Sequence, residues 1–358
     1  MSLLAVGAAA ATLLAACGSS SPGSTTTTTT ASSGSSTTTT ASSGSSTTAS
    51  GGSTTTAAVK SSKNYHFELI TKSNASPYWL AVKEGADAAA KKDGVTVTFE
   101  APASGTDLST QISMVNNAVT AHVDGIILAA QQPAPLVNPV KNAQSHGIPV
   151  ITVDSGVQPN VSKSFLATSN VGAAAALAQV TAKLAGSKGE YAIIDFNEIS
   201  STGIERPQGF KQGMAKFPGF KFDGQQISNN IVSTGKAEAG ALLQSHPNIN
   251  LMFGANDRAA LGVAEAVQAA HKVGKVIVAG FDADLGELPL IKGGVIEASV
   301  LQSPYQMGYQ AVSEMIQVKQ GKSVPKQVNT PYFILTPKNF GTAQATQFIK
   351  QYVPSYNG

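Results

Sequence analysis

From Lys63 onward the chain alternates short β-branched runs with stretches whose apolar residues recur every three or four positions. That alternation predicts a parallel, doubly wound α/β architecture. Candidate strands are His66–Thr71, Val95–Glu100, Gly125–Ala129 and Ile148–Val153, then Tyr191–Phe196, Phe222–Ile227, Leu251–Gly254, Val276–Phe281 and Ile296–Leu301. Helices fit between them. In Leu108–Ala121, for example, Leu108, Ile112, Val115 and Val119 share one face. His146-Gly147-Ile148-Pro149 closes one helix and opens the next strand, and the Leu177, Val180, Leu184 stripe ending at Gly186 repeats that grammar. The strands fall into two successive sets, so the pattern predicts two similar lobes in tandem. Tyr332–Leu335 reads as a last strand returning to the second lobe, and 338–358 as a surface helix with no visible function.

The first 59 residues follow another rule. They contain no charged residue, no histidine and no aromatic, so every charge and every aromatic of the 358-residue chain lies beyond them. Residues 3–16 form an apolar run too short to span a bilayer, ending in small residues before Cys17. Leu14-Ala15-Ala16-Cys17 looks like a bacterial lipobox, which makes 1–17 an export signal and Cys17 the lipidated residue, although no basic residue precedes the apolar run. The segment 18–62 is dominated by Ser, Thr, Gly and Ala, with one decamer nearly repeated at 31–40 and 41–50. Such a composition cannot build a core and predicts a disordered tether of roughly 35 Å root-mean-square span.

Much chemistry is excluded. One cysteine rules out a disulfide framework and a cysteine metal cluster. A net charge of +3 without a basic run longer than two argues against nucleic acid as a partner. There is no nucleophile elbow, phosphate loop, dinucleotide fingerprint or H-E-x-x-H helix. The five histidines lack ligand spacing, and His146 and His246 read as helix C-terminal caps. The expectation is a non-enzyme with no metal and no cofactor.

In open α/β sheets ligands bind beyond the carboxyl ends of the strands, so polar residues that directly follow apolar runs are the informative ones. Asp154, Asn256 with Asp257, Asp282 and Gln302 each follow such a run, and the first strand leads into Lys72, Ser76, Tyr78 and Trp79, the chain's one tryptophan. A helix cap is the ordinary reading of each alone, for Asp257 above all. Together, carboxylates, carboxamides, cations and paired aromatics describe a cleft that saturates hydroxyl groups and covers apolar ring faces.

Six segments carry a resemblance. They are K-S-N-A-S-P-Y-W (72–79), H-G-I-P-V-I-T-V-D (146–154), E-R-P-Q-G-F (205–210), H-P-N-I-N-L-M-F-G-A-N-D (246–257), V-I-V-A-G-F-D (276–282) and the stretch ending in Gln302. In order and spacing the chain resembles the ribose/allose/galactose-type periplasmic sugar-binding proteins of ABC importers, over about 64–335. The resemblance implies a type I periplasmic binding protein fold. It would comprise an N-terminal lobe (63–168 plus 302–331), a C-terminal lobe (169–301 plus 332–358) and a three-segment hinge near Ala167–Asn170, Leu301–Ser303 and Thr330–Tyr332. It also implies a monosaccharide or polyol ligand, held by Lys72, Ser76, Tyr78, Trp79 and Asp154 on one wall, by Arg206, Asn230, Asn256 and Asp282 on the other, and by Gln302 from a crossing segment. The partner implied is an ABC permease, and the protein an extracytoplasmic monomer touching the membrane only through lipidated Cys17. Ser155 stands where ribose-type members have Arg, Ser76 where Asn is usual, and Asn230 where an aromatic is usual, while Lys72 is closer to allose-type sites. Two other readings follow from the same residues: a surface sugar sensor serving a chemoreceptor or kinase, and a glycosidase using Asp154 and Asp282, whose carboxyls would have to lie about 5–9 Å apart.

Overall fold

The structure, a computed structural model, describes residues 64–74, 76–354 and 356. The signal, Cys17 and tether readings lie outside these residues. The first half runs β1 (His66–Ile70), α1 (Pro77–Asp93), β2 (Thr96–Glu100), α2 (Leu108–Thr120), β3 (Gly125–Leu128), α3 (Val137–Ser145), β4 (Val150–Val153) and β5 (Phe165–Thr168). The second begins with α4 (Asn170–Leu184), β6 (Gly189–Asp195), α5 (Ser201–Met214), β7 (Phe220–Ile227), α6 (Val232–Ser245), β8 (Ile249–Gly254) and α7 (Asp257–Ala269). It continues with β9 (Ile277–Phe281), α8 (Glu287–Lys292), β10 (Ala298–Leu301), α9 (Pro304–Lys319), β11 (Gln327–Thr330), β12 (Phe333–Leu335) and α10 (Ala343–Tyr352).

These strands form two six-stranded sheets, ordered β11-β5-β4-β3-β1-β2 and β12-β10-β9-β8-β6-β7. Every pairing is parallel except β10 with β12. The middle strands show why the chain folds this way. In β3 and β4 every residue is buried, as a parallel strand covered by helices on both faces requires. The chain passes from one sheet to the other three times, between β5 and α4, between β10 and α9, and between β11 and β12.

All ten expected strands are present, the last of them as β12. Two others, β5 and β11, begin upstream of what the sequence presented as crossing segments; both have only four residues, and β11 is an edge strand with a single apolar side chain, Val328. Neither length nor alternation marks such strands. The crossings are tied together: Thr168 and Thr330 hydroxyls lie 3.4 Å apart, and the Ser303 hydroxyl donates to the Pro331 carbonyl at 2.9 Å. On the first sheet α1 packs tightly on α9 because neither helix has a side chain at the crossing. A Cβ at Gly85 would collide with the Tyr305 carbonyl, and one at Gly308 with the Val82 carbonyl.

The tail helix expected to pack on the surface is present as α10. Helix α10 buries Ala345, Phe348, Ile349 and Tyr352, and packs on α1 and α9 as well as on β12, where Phe348 stacks on Phe333.

Candidate functional site

All ten strand-end and helix residues singled out above converge. Nine of them line one cavity of about 530 Å³, and Gln302 lies directly behind it, bonded to Asp282.

The first wall is built on β1, α1 and β4. Asp154 follows β4 directly, and its backbone is left-handed (φ 58°) with its N–H donating to Leu166. A non-glycine residue held there is strained. No helix lies between β4 and β5, so Asp154 is no helix cap. Lys72 Nζ lies 3.1 Å from Asp154 Oδ2, and the Tyr78 hydroxyl donates to Oδ1 at 3.0 Å. Lys72 also sits 5.7 Å over the Trp79 ring, which meets Tyr78 edge-on. Burial lowers the Lys72 pKa, and the Asp154 charge opposes that shift. Ser76 occupies the N-cap position of α1 without making a side-chain cap bond, and Pro77 opens the helix, so the hydroxyl is not committed to it.

The second wall is built on α5, β8, β9 and β10. Asp282 follows β9 directly and repeats the left-handed geometry (φ 77°), its N–H donating to Val300. Arg206 Nη1 lies 3.4 Å from Asp282 Oδ2 and donates to the Ala255 carbonyl at 3.0 Å, Nε donates to Asn170 at 3.0 Å, and the guanidinium lies 3.9 Å over the Phe281 ring. Gln302 Nε2 donates to Asp282 Oδ1 at 2.7 Å. Burial raises the Asp282 pKa, against the pull of Arg206, Gln302 and Tyr352.

Asn256, not Asp257, is the N-cap of α7. Its Oδ1 accepts from the Ala259 N–H at 3.0 Å, while its Nδ2 donates to Asn230 at 2.7 Å and to Asp257 at 2.8 Å. The helix begins one residue earlier than its apolar pattern implied. Asp257 is left as a half-buried acid in the cavity, its pKa pushed up to about 6 by burial and the nearby Asp282 charge. Asn229 and Asn230 are both left-handed, a conformation asparagine tolerates.

Residue-level reading of the sequence missed four participants. Phe196, following β6, supplies an aromatic to the cavity although 229–230 do not. Thr202 accepts a hydrogen bond from Lys72 Nζ at 3.3 Å, joining the two walls. Thr106 lines the rim from the loop before α2. Tyr352, from the tail, donates to Asp282 at 2.9 Å. Only Phe196 carried a signal, its place after an apolar run.

Chemically, each carboxylate holds one cation and at least one further donor, yet retains lone pairs for hydroxyl protons. Elsewhere, at the amino-terminal end of β6, Glu190, Asp223 and His246 place ligand atoms within 4.8 Å of one another. There Lys221 Nζ already lies 2.6 Å from Asp223. His146 and His246 take the helix C-cap positions expected of them.

A family model described as a periplasmic binding protein domain matches residues 67–323. The chain is 30% identical to the D-allose-binding periplasmic protein of Escherichia coli (strain K12), over 72% of this chain and 86% of that protein. It is 26% identical to the ribose import binding protein of Bacillus subtilis (strain 168), over 78% and 89%. Among solved structures it is similar to a carbohydrate transporter solute binding protein from Agrobacterium radiobacter in complex with D-arabinose (TM-score 0.77, 29% identity, 81% of this chain and 100% of that one). A second similar structure is an ABC transporter solute binding protein from Agrobacterium vitis bound with α-D-tagatopyranose (TM-score 0.76, 28% identity, 80% and 99%). Among the described residues no helix is long and apolar enough to cross a membrane.

Proposed function

The chain belongs to the periplasmic binding protein domain family, and from that membership we propose that it captures a monosaccharide or polyol between two lobes and delivers it to an ABC importer. The observation that carries this reading is the pair Asp154 and Asp282. Each directly follows a strand, each is held in left-handed backbone, and each faces one cavity with a cation attached. The sugars in the names of similar proteins support the ligand class.

The lobes divide at 63–168 plus 302–331 and 169–301 plus 332–358. The ligand drives closure because it contacts both walls only in the closed state. The site binds without turning over: its carboxylates are engaged by Lys72 and Arg206, which suits holding hydroxyls rather than delivering a proton or a nucleophile. The protein acts outside the cytoplasm as a monomer, tethered by 18–62 to a lipid on Cys17, and its macromolecular partner is an ABC permease.

A thermal-shift screen of pentoses, hexoses and polyols tests this, since a ligand that binds only the folded form raises its apparent stability. At least one sugar is expected to raise the midpoint. Asp154→Ala and Arg206→Ala should each weaken that sugar by about 1–3 kcal/mol in calorimetry. Normal binding by both variants would remove the assignment of the site.

A further inference from the structure

The C-terminal helix ends in the binding machinery. On α10 the buried face Ala345, Phe348, Ile349, Tyr352 is what a packing helix needs, but a buried phenol must also find a partner for its hydroxyl. The Tyr352 hydroxyl finds two. It accepts the backbone N–H of Gln302 at 2.6 Å and donates to Asp282 Oδ1 at 2.9 Å, the same oxygen that receives Gln302 Nε2. Its ring lies 6.1 Å from that of Tyr78, whose hydroxyl serves Asp154 on the opposite wall.

The helix that carries Tyr352 touches both halves of the fold. It packs on α1 and α9 beside the first sheet and on β12 of the second, and Gln351 accepts the N–H of Gln306 at the start of α9. One hydroxyl thus connects the tail, the β10–α9 crossing segment and the carboxylate of the second wall.

We propose that Tyr352 is a positioning residue for ligand binding: its hydroxyl fixes the Asp282 carboxylate and the Gln302 crossing segment in the arrangement that receives the sugar, which gives the C-terminal helix a role in the cleft. The inference rests on the sugar-binding reading above. Phenylalanine at this position would keep the packing, remove one donor from the carboxylate and leave the Gln302 N–H without its acceptor.

Other charged and titratable groups face Asp282 from the surrounding elements: the cations Arg206 and Lys72, the acids Asp154, Asp257 and Glu287, and the phenol Tyr78. All of them remain in the variant, so any change in Asp282 titration reports on the lost hydroxyl.

The test compares the full chain with Tyr352→Phe. Binding of D-allose, D-ribose, D-arabinose, D-tagatose and D-fucose is measured by calorimetry, and the sugar-free midpoint by thermal unfolding. The Asp282 carboxyl, assigned with Asp282→Asn, is followed by carbon NMR against pH without sugar. The expected result is a Kd raised on the order of tenfold for the sugar that binds. With it should come a midpoint within about 2 °C of the unaltered chain and an Asp282 titration moved to higher pH, because its charged form has lost a donor. An unchanged Kd overturns the inference. So does weaker binding with a matching fall in midpoint and an unmoved titration, which would make Tyr352 a packing residue only. If the unaltered chain binds none of these sugars, the sugar-binding reading falls and takes the inference with it. If it binds and the variant binds equally well, the inference falls alone.

Discussion

The two walls of the cleft are the same design carried out with different side chains. Strand β4 in the first sheet and β9 in the second occupy equivalent places, and each ends in a left-handed aspartate whose N–H is bonded to the neighbouring strand. The difference lies in what holds each carboxylate. Asp154 is held by a lysine and a phenol, and the lysine also reaches across to Thr202. Asp282 is held by an arginine that is itself fixed by Asn170, Ala255 and Phe281, and by the Gln302 amide and Tyr352. A lysine can lose its proton when buried, whereas arginine stays charged. The cation of the first wall can therefore adapt its charge to what occupies it, and the cation of the second cannot. That asymmetry teaches that one wall is a rigid anchor and the other an adjustable surface.

The sharpest challenge is to remove each carboxylate in turn. Asp282→Ala leaves Arg206 buried and charged, so sugar-free stability in urea unfolding should fall by about 3–5 kcal/mol. Asp154→Ala should lower it by only about 1–2 kcal/mol, because Lys72, whose pKa burial already lowers, can become neutral. Equal losses would erase the distinction between the walls.

Lys72→Met probes the adjustable side. The variant keeps the aliphatic stem but loses the bonds to Asp154 and Thr202. Binding should weaken by about 1–2 kcal/mol. Trp79, the chain's one tryptophan, lies under the ammonium. Its emission should respond to sugar in the unaltered chain and respond less in the variant; an identical response would place Lys72 outside the sugar's reach.

The smallest expected effect concerns pH on the anchored side. Asp257 has a folded pKa of about 6 against an ordinary 3.8, so the folded chain binds more protons than the unfolded one between those values. Stability therefore falls as pH rises through that window, and the penalty is complete above the folded pKa. Asp257 is only partly buried, so solvent screening cuts the roughly 3 kcal/mol the full shift would represent, and Asp257→Asn should raise sugar-free stability at about pH 8 by roughly 1 kcal/mol and little at about pH 4. A gain of the same size at both pH values would assign the effect to packing.

Particular residues show why some of this was legible. Asp154, Asp282 and Gln302 stand directly after apolar runs, and a parallel sheet delivers whatever follows its strands to one edge, so local order along the chain was enough to locate them. Asp257 was misread because the cap had two adjacent candidates and only hydrogen-bond geometry chose Asn256. The short strands β5 and β11 were hidden because four residues carry almost no period, and their strand state comes from pairing with each other and, for β5, with β4.

Periodicity and strand-end chemistry along the chain were sufficient for the α/β class, the two successive sets of strands and most of the cleft's polar residues, since each depends on neighbours a few positions apart. The assignment of Tyr352 and Thr202 to the cleft, and the choice of partner for each carboxylate, arose only from the folded arrangement. Those contacts join residues 76 positions apart for Tyr78 and Asp154, 130 for Lys72 and Thr202, and 70 for Tyr352 and Asp282. At such separations no local pattern constrains which side chains meet, and the packing of the helices on the two sheets determines it.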